Sequence, residues 1–316
     1  MKLLIKLLTL LVFGLISVSC FLMPAGGGAK YAPLYKYRNF PLTKVQEVEY
    51  WWPSQIISNY EIVKTAHQSY GGFISNNEHY LSTNNTIEYY SNDIKTVYFT
   101  FTNTNNRIFL CANRKYIAYF ENSNIIVILT NGQTVLTKPV GTTNLIADLG
   151  KGESPYFAYG EKMEEPRFSH PEIGQGHYLK LLNLETKSEI SLPYAYSIIG
   201  FSKNNHYLFY TIYTLNWYMY YYDDQQLPTI GQLAYYDIGK KQNQNIGDYN
   251  YETNNTPTGI PWTDTIIGID KNLKCFLVLQ QFTSSYAIEG YLDDGRDQGE
   301  ECGIWKVDIS SLGLSE

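Results

Sequence analysis

YSIIGFSKNNHYLFYTIY, residues 196–213, reads as an apolar run, a tight polar turn at Lys203-Asn204-Asn205 and a second apolar run. Runs rich in Tyr, Phe, Ile and Thr that are bounded by Asn and Ser are the pattern of adjacent strands in a hairpin. After an insertion, Gly231 to Asp237 supplies a third strand, Ile238 to Lys241 a turn, and Gln242 to Ile246 a short fourth strand. Four strands in succession form one meander, which cannot cover its own apolar faces, so the neighbouring sequence must supply more of them.

It does so on both sides. Thr265 to Asp270, Leu273 to Gln280 and Gly303 to Ile309 repeat the order, with Asp308 in the place of Asp237. Upstream, Arg107 to Leu110, Lys115 to Phe120, Asn124 to Leu129 and Gln133 to Thr137 form a compact unit around Asn131-Gly132, the strongest short hairpin signal in the chain. Asn144 to Leu149, Tyr156 to Tyr159, Tyr178 to Asn183 and Glu189 to Leu192 make another. Gly72 to Leu81, Thr86 to Tyr90 and Thr96 to Phe101 add strand for one or two more. The expected fold class is all-β, a β-propeller of about six four-stranded blades, with five and seven open. Blades stacked around an axis must close on themselves, and Val45 to Trp52 is the segment expected to add an outer strand to the last blade.

Phe201-Ser-Lys-Asn-Asn-His-Tyr-Leu208 and Ile304-Trp-Lys-Val-Asp308 resemble the TolB-like and WD-repeat propellers, in which a polar turn precedes an apolar strand and a Trp/Tyr-x-x-Asp strand follows. The resemblance spans most of residues 70 to 310, without the Pro and Gly of the family's turn, and it implies architecture only.

Composition agrees with strands: 30 Tyr and 14 Phe stand among many Ile, Val and Thr, and only 17% of residues are charged. A net charge of −6 with no basic stripe excludes a nucleic-acid surface, which needs clustered Lys and Arg. Single Asn residues carry no weight here, because Asn is abundant throughout the chain.

At the N-terminus Lys2 and Lys6 precede an apolar run from Leu7 to Val18, the length of a signal-peptide core and short for a membrane span. Ile16-Ser-Val-Ser-Cys20 resembles the lipobox of bacterial lipoproteins, which implies acylation of Cys20 with a fatty acid such as palmitate and a membrane anchor. Cleavage at Gly27 and Ala29, or an uncleaved anchor, are the alternatives. The expected organisation is a signal peptide at 1–19, a lipidated Cys and flexible tether at 20–40, and a propeller domain at 41–316. Location in the cell envelope follows, and Phe21, not being acidic, implies outer-membrane sorting where the cell has two membranes.

The insertions are uneven. Loops joining second to third strands are long in three successive units, at 160–176, 214–230 and 283–302. In a propeller these open on one face, where loops vary without disturbing the stack. They carry the candidate partner-binding residues Phe168, Trp217, Tyr220, Tyr222, Tyr291 and Arg296, aromatic and cationic anchors flanked by acids that suit a protein or carbohydrate partner. The alternative for 217–222 is a continuation of the flanking strands into a long hairpin.

Cys275 and Cys302 fall on consecutive strands of one blade, so either a disulfide joins them or both are buried apolar side chains. No Cys/His zinc spacing, calcium loop, GxSxG, HExxH, P-loop or sialidase-type Asp box occurs, so the expectation is no catalytic residue, no metal and no cofactor. Asp148, Asp264 and Asp270 flank presumed inner strands and are the carboxylates relevant to the rival expectation, a surface propeller that binds or hydrolyses glycans.

Overall fold

The computed structural model describes residues 37, 39–46, 73–75, 78–83, 85–92, 94–101, 107–141, 145–162, 177–217, 226–246, 262–270, 272–282 and 303–316. Among them the regular elements are β1 (Leu42–Gln46) and nineteen further strands, with a 3₁₀ turn at Ser310–Leu312. Sheet one holds β2 (Phe73–Ser75), β3 (Glu78–Thr83), β4 (Thr86–Ser91) and β5 (Ile94–Thr100). Sheet two holds β6 (Ile108–Ala112), β7 (Tyr116–Glu121), β8 (Asn124–Leu129) and β9 (Thr134–Pro139). Sheet three comprises β10 (Ala147–Leu149), β11 (Tyr156–Lys162), β12 (His177–Asn183) and β13 (Glu189–Ser191). Sheet four comprises β14 (Ala195–Phe201), β15 (Tyr207–Trp217), β16 (Gln226–Asp237) and β17 (Gln242–Ile246), and the single pair His177↔Ala195 joins it to sheet three. Sheet five runs β18 (Trp262–Ile269), β19 (Cys275–Phe282), β20 (Gly303–Asp308) and then β1.

These are five four-stranded antiparallel meanders in chain order, the last completed by a strand from the start of the domain. This is the topology of a β-propeller. Sequence reading gave about six blades with five and seven open; five units stand among the described residues.

The middle strands show why the sequence folds this way. Successive residues of a strand point to opposite faces, so a strand sandwiched between two neighbours must be apolar throughout and divide its side chains between two cores. In β7, Tyr116, Ala118 and Phe120 enter the core shared with sheet three, while Ile117 and Tyr119 enter the core shared with sheet one. In β15, Leu208, Tyr210 and Ile212 face sheet three, and Tyr207 and Phe209 face sheet five. Four such cores lie between the five consecutive sheets.

The closing strand begins upstream of where the sequence pointed. Leu42 stands opposite Val307 and Gln46 opposite Ile304, so the N-terminal segment does add the outer strand to the last sheet, but the strand starts at Leu42 and not at Val45. Residues 47–52, the remainder of the expected segment, lie outside the described residues. Gly72 to Leu81, read as one run, is divided: Ser75 stands opposite Glu78 in a tight hairpin between β2 and β3. Tyr37, within the segment read as tether, is wholly buried in the core between sheets four and five. Its hydroxyl accepts the Leu233 N–H at 3.1 Å, and its ring meets Phe276 edge-on at 4.9 Å.

Candidate functional site

In every meander the first-to-second turn lies at one end of the second strand and the second-to-third connection at the other. The two ends of this molecule differ in construction.

At the first end the turns are short and tied together across the seams. Tyr98 of sheet one donates its hydroxyl to the Asn113 carbonyl at 2.6 Å. Asn113, the turn residue after β6, is 3% exposed. Its side-chain amide donates to Gly150 O at 2.7 Å and to Ser154 O at 3.0 Å in the turn of sheet three, while its oxygen accepts the Lys115 and Tyr116 N–H groups. Arg114 N–H reaches Gly152 O at 2.8 Å beside it. From sheet four, Asn205 accepts Lys151 N–H at 2.5 Å and donates back to the Lys151 carbonyl at 3.2 Å. From beyond β20, the Glu316 carboxylate accepts the N–H groups of Lys203 at 2.7 Å and Asn204 at 2.8 Å. A belt of side-chain-to-backbone bonds thus crosses every seam from sheet one to sheet five.

Third-strand ends are capped on the same side. Asp237 accepts Lys240 N–H at 2.8 Å, Asp308 accepts Ser310 N–H at 2.9 Å, and Asn183 accepts those of Glu185 and Thr186 at 3.0 Å each. The sequence equivalence of Asp237 and Asp308 is therefore an equivalence of role. Burial works against the Asp237 charge, but the N–H and ammonium of Lys240 outweigh it and hold the carboxyl below its ordinary range. Hydrogen bonding by Ser310 does the same for Asp308.

At the opposite end, the three long connections spring from the pairs Lys162↔His177, Trp217↔Gln226 and Gln280↔Gly303 in three consecutive sheets. Sheet four departs from the others. Its β14 pairs with β15 as far as Ala195↔Ile212, but β15 and β16 continue together through Tyr213↔Ile230 to Trp217↔Gln226. A one-residue bulge at Gly231 marks where this two-stranded arm leaves the sheet. Five further pairs at about 3.3 Å per residue carry it roughly 17 Å past the blade. Trp217 is the last residue of β15 and Gln226 the first of β16; residues 218–225, which hold the rest of the segment that the long-hairpin alternative concerned, lie outside the described residues. Phe168, Tyr220, Tyr222, Tyr291, Arg296, Cys20 and Cys302 lie outside the described residues.

Cys275 is a buried free thiol at the start of β19, with Asp308 opposite. Burial pushes it up to about 11. Gly303, where β20 begins, stands opposite Gln280, five pairs away. That is roughly 17 Å along the ladder, against the ~7 Å between Cα atoms that a disulfide spans. Asp148 is 3% exposed on β10, Asp270 accepts Asn272 N–H at 3.1 Å, and Asp264 stands opposite Gln280 in the β18–β19 ladder. Asp148 and Asp270 are thus a buried strand residue and a turn cap.

A closed ion network occupies the outer part of the seam between sheets two and three. Tyr159 donates to Glu189 at 2.6 Å, Lys138 lies 3.2 Å from Glu189 and 3.4 Å from Glu161, and Lys180 lies 3.8 Å from Glu161. Burial and the Glu189 charge push the Tyr159 hydroxyl far above its ordinary value. Burial opposes the Glu189 charge, yet the bonds from Tyr159 and Lys138 hold its carboxyl low. Two cations balance two anions, so the network is a tie between sheets. Among the described residues, no three His, Cys, Asp or Glu gather to hold a metal ion.

Sequence reasoning set single Asn residues aside, and with them the belt. The signal was positional: Asn113 and Ser202 each stand directly after a first strand and accept the N–H groups of the residues that begin the second.

No protein-family model matches the chain, and no curated protein does. Among solved structures, the putative TolB from Agrobacterium tumefaciens aligns over 77% of this chain and 72% of its own at 11% identity, with a TM-score of 0.37. The WD40 domain of SCAP from fission yeast aligns over 74% and 58% at 9% identity and 0.32, and the tricorn protease over 64% and 23% at 12% identity and 0.27. The chain thus spans less than two thirds of the last two. The assignment to an all-β propeller rests on the sheet topology itself.

Proposed function

We propose that the chain is a membrane-tethered propeller of the cell envelope that binds a protein partner through the long connections on one face. The observation that carries this reading is the asymmetry between the two ends. One is laced across the four seams from sheet one to sheet five, and the other bears three long connections from consecutive sheets and an arm that leaves its blade at Ile212↔Gln232. A rigid scaffold with variable loops confined to one end is how binding surfaces are built without disturbing a core. Aromatic and cationic residues of these loops, Phe168, Trp217, Tyr220, Tyr222, Tyr291 and Arg296, are the proposed contacts, and Cys20 the proposed lipid attachment.

The test replaces 214–229 by Asn-Gly in the full-length protein and compares crosslinked complexes recovered from native membranes. A folded variant that loses a specific crosslinked partner supports the reading. A folded variant with an unchanged crosslink pattern sinks it. Intact mass of the membrane-extracted protein, alongside Cys20→Ser, decides the anchor separately.

A further inference from the structure

The turn of sheet four holds a charge where its counterparts hold a neutral group. In sheets two and three the leading N–H of the turn, at Arg114 and Lys151, is accepted by the Gly152 carbonyl and by the Asn205 amide oxygen. In sheet four, two consecutive N–H groups, Lys203 and Asn204, converge on the two oxygens of one carboxylate, that of Glu316.

The turn does not need Glu316 to keep this shape. Asn205 N–H closes the turn on Ser202 O at 3.1 Å, and Ser202 N–H bonds Tyr207 O at 2.9 Å. Ser202 Oγ accepts the His206 and Tyr207 N–H groups, and the Asn205 side chain is bonded to both backbone groups of Lys151. Asn205 sits at a φ of 61°, the left-handed conformation that ends an outward-facing pair of amides. The central N–H groups of such a turn take no part in its own hydrogen bond and point outward. Glu316 is brought to them by Leu314, which is buried in the core between sheets four and five.

We infer that the turn at 202–206 is a preorganised carboxylate-binding site, that Glu316 is its cis ligand, and that a carboxylate on another molecule takes the site when Glu316 leaves. Charge-assisted bonds to two amides and the exposed Lys203 cation select an anion, and the spacing of the two amides selects a bidentate one. This inference is independent of the loop face and of the membrane anchor.

The experiment is an amide NMR titration of full-length wild type, Glu316→Gln and Glu316→Ala with sodium acetate, with sodium chloride at matched ionic strength as control. In the variants, the Lys203 and Asn204 resonances are expected to shift saturably with acetate and not with chloride. Wild type should give a smaller shift at every acetate concentration, because the tethered Glu316 carboxylate competes for the same two amides. A variant whose two amides ignore acetate, or respond equally to chloride, overturns the site; an equal acetate response in wild type overturns the cis ligand. Should Glu316→Ala lose its fold, Glu316→Gln decides.

Discussion

Asn113 and Gly150 belong to different sheets, yet the Asn113 side-chain amide donates to the Gly150 carbonyl at 2.7 Å. Replacing Asn113 by Ala removes four hydrogen bonds and strands buried backbone groups of two turns. The expected loss is about 3 kcal/mol. Asn131, whose oxygen accepts Gln133 N–H in an exposed turn, is the control, with an expected loss within about 0.5 kcal/mol. Urea denaturation midpoints of the two variants check the difference; equal midpoints would remove the belt from the stability of the fold.

Gly160 lies in β11 where a side chain would have no room. A Cβ there would stand 2.5 Å from Ile146 Cγ1, partly buried against the core, and 2.8 Å from Cβ of the buried His177. Gly160→Ala should cost about 2–3 kcal/mol. Adding Ile146→Ala should cost less in that background than alone, because the removed side chain is the one that clashes. A thermal-melt double-mutant cycle with purely additive losses would contradict this geometry.

Asp237 and Asp308 both titrate below the ordinary value of 3.8 in the folded protein. A lowered folded value means that the unfolded chain binds protons more tightly. Their contribution is therefore complete above the ordinary range and is lost as pH falls through the folded values. Stability measured by denaturant between pH 7 and pH 2 should drop in the acid limb. D237N/D308N should begin less stable at pH 7 and fall less steeply; an unchanged acid slope would mean these caps are not linked to folding.

Cys275 should resist alkylation. Its thiol is buried and pushed up to about 11, so at pH 8 the nucleophilic thiolate is scarce and shielded. Iodoacetamide labelling read by peptide mass spectrometry should leave Cys275 unmodified in the native protein and modify it in urea. Rapid native labelling would show that the β19 end of sheet five opens.

Strand content and chain order were legible because β7, β8, β15 and β16 are apolar on both faces, as strands stacked between two neighbours must be. The Asn-Gly turn at 131–132 and the paired Asp237 and Asp308 were legible for a local reason: turn chemistry is written in adjacent residues. The seal was only half legible, since which residues of 42–52 pair with β20 depends on a partner at the far end of the chain. Register within the blades was not legible either. The shifts at Ile198/Gly200 and Ile266/Gly268 arise where inner strands bulge against their second strands. The belt escaped because Asn113 and Asn205 resemble the many other Asn residues until the turns of separate sheets are brought together. At the arm, the pairs past Ile212 could be read as loop or as ladder, and the structure chose ladder.

The seal strand sets an order of events. Among the described strands, the one that holds residue 42 is synthesised first, and the one that holds its partner, residue 307, last. Sheets one to four can each form from contiguous chain as it appears, but sheet five cannot be completed until nearly every residue is available. The entropic cost of closing so long a loop grows only slowly with length, whereas the rate of folding falls as contacts become more distant in sequence. Completion of sheet five is thus the step expected to be slowest. Until it occurs, β20 carries an open edge able to accept a strand from another copy.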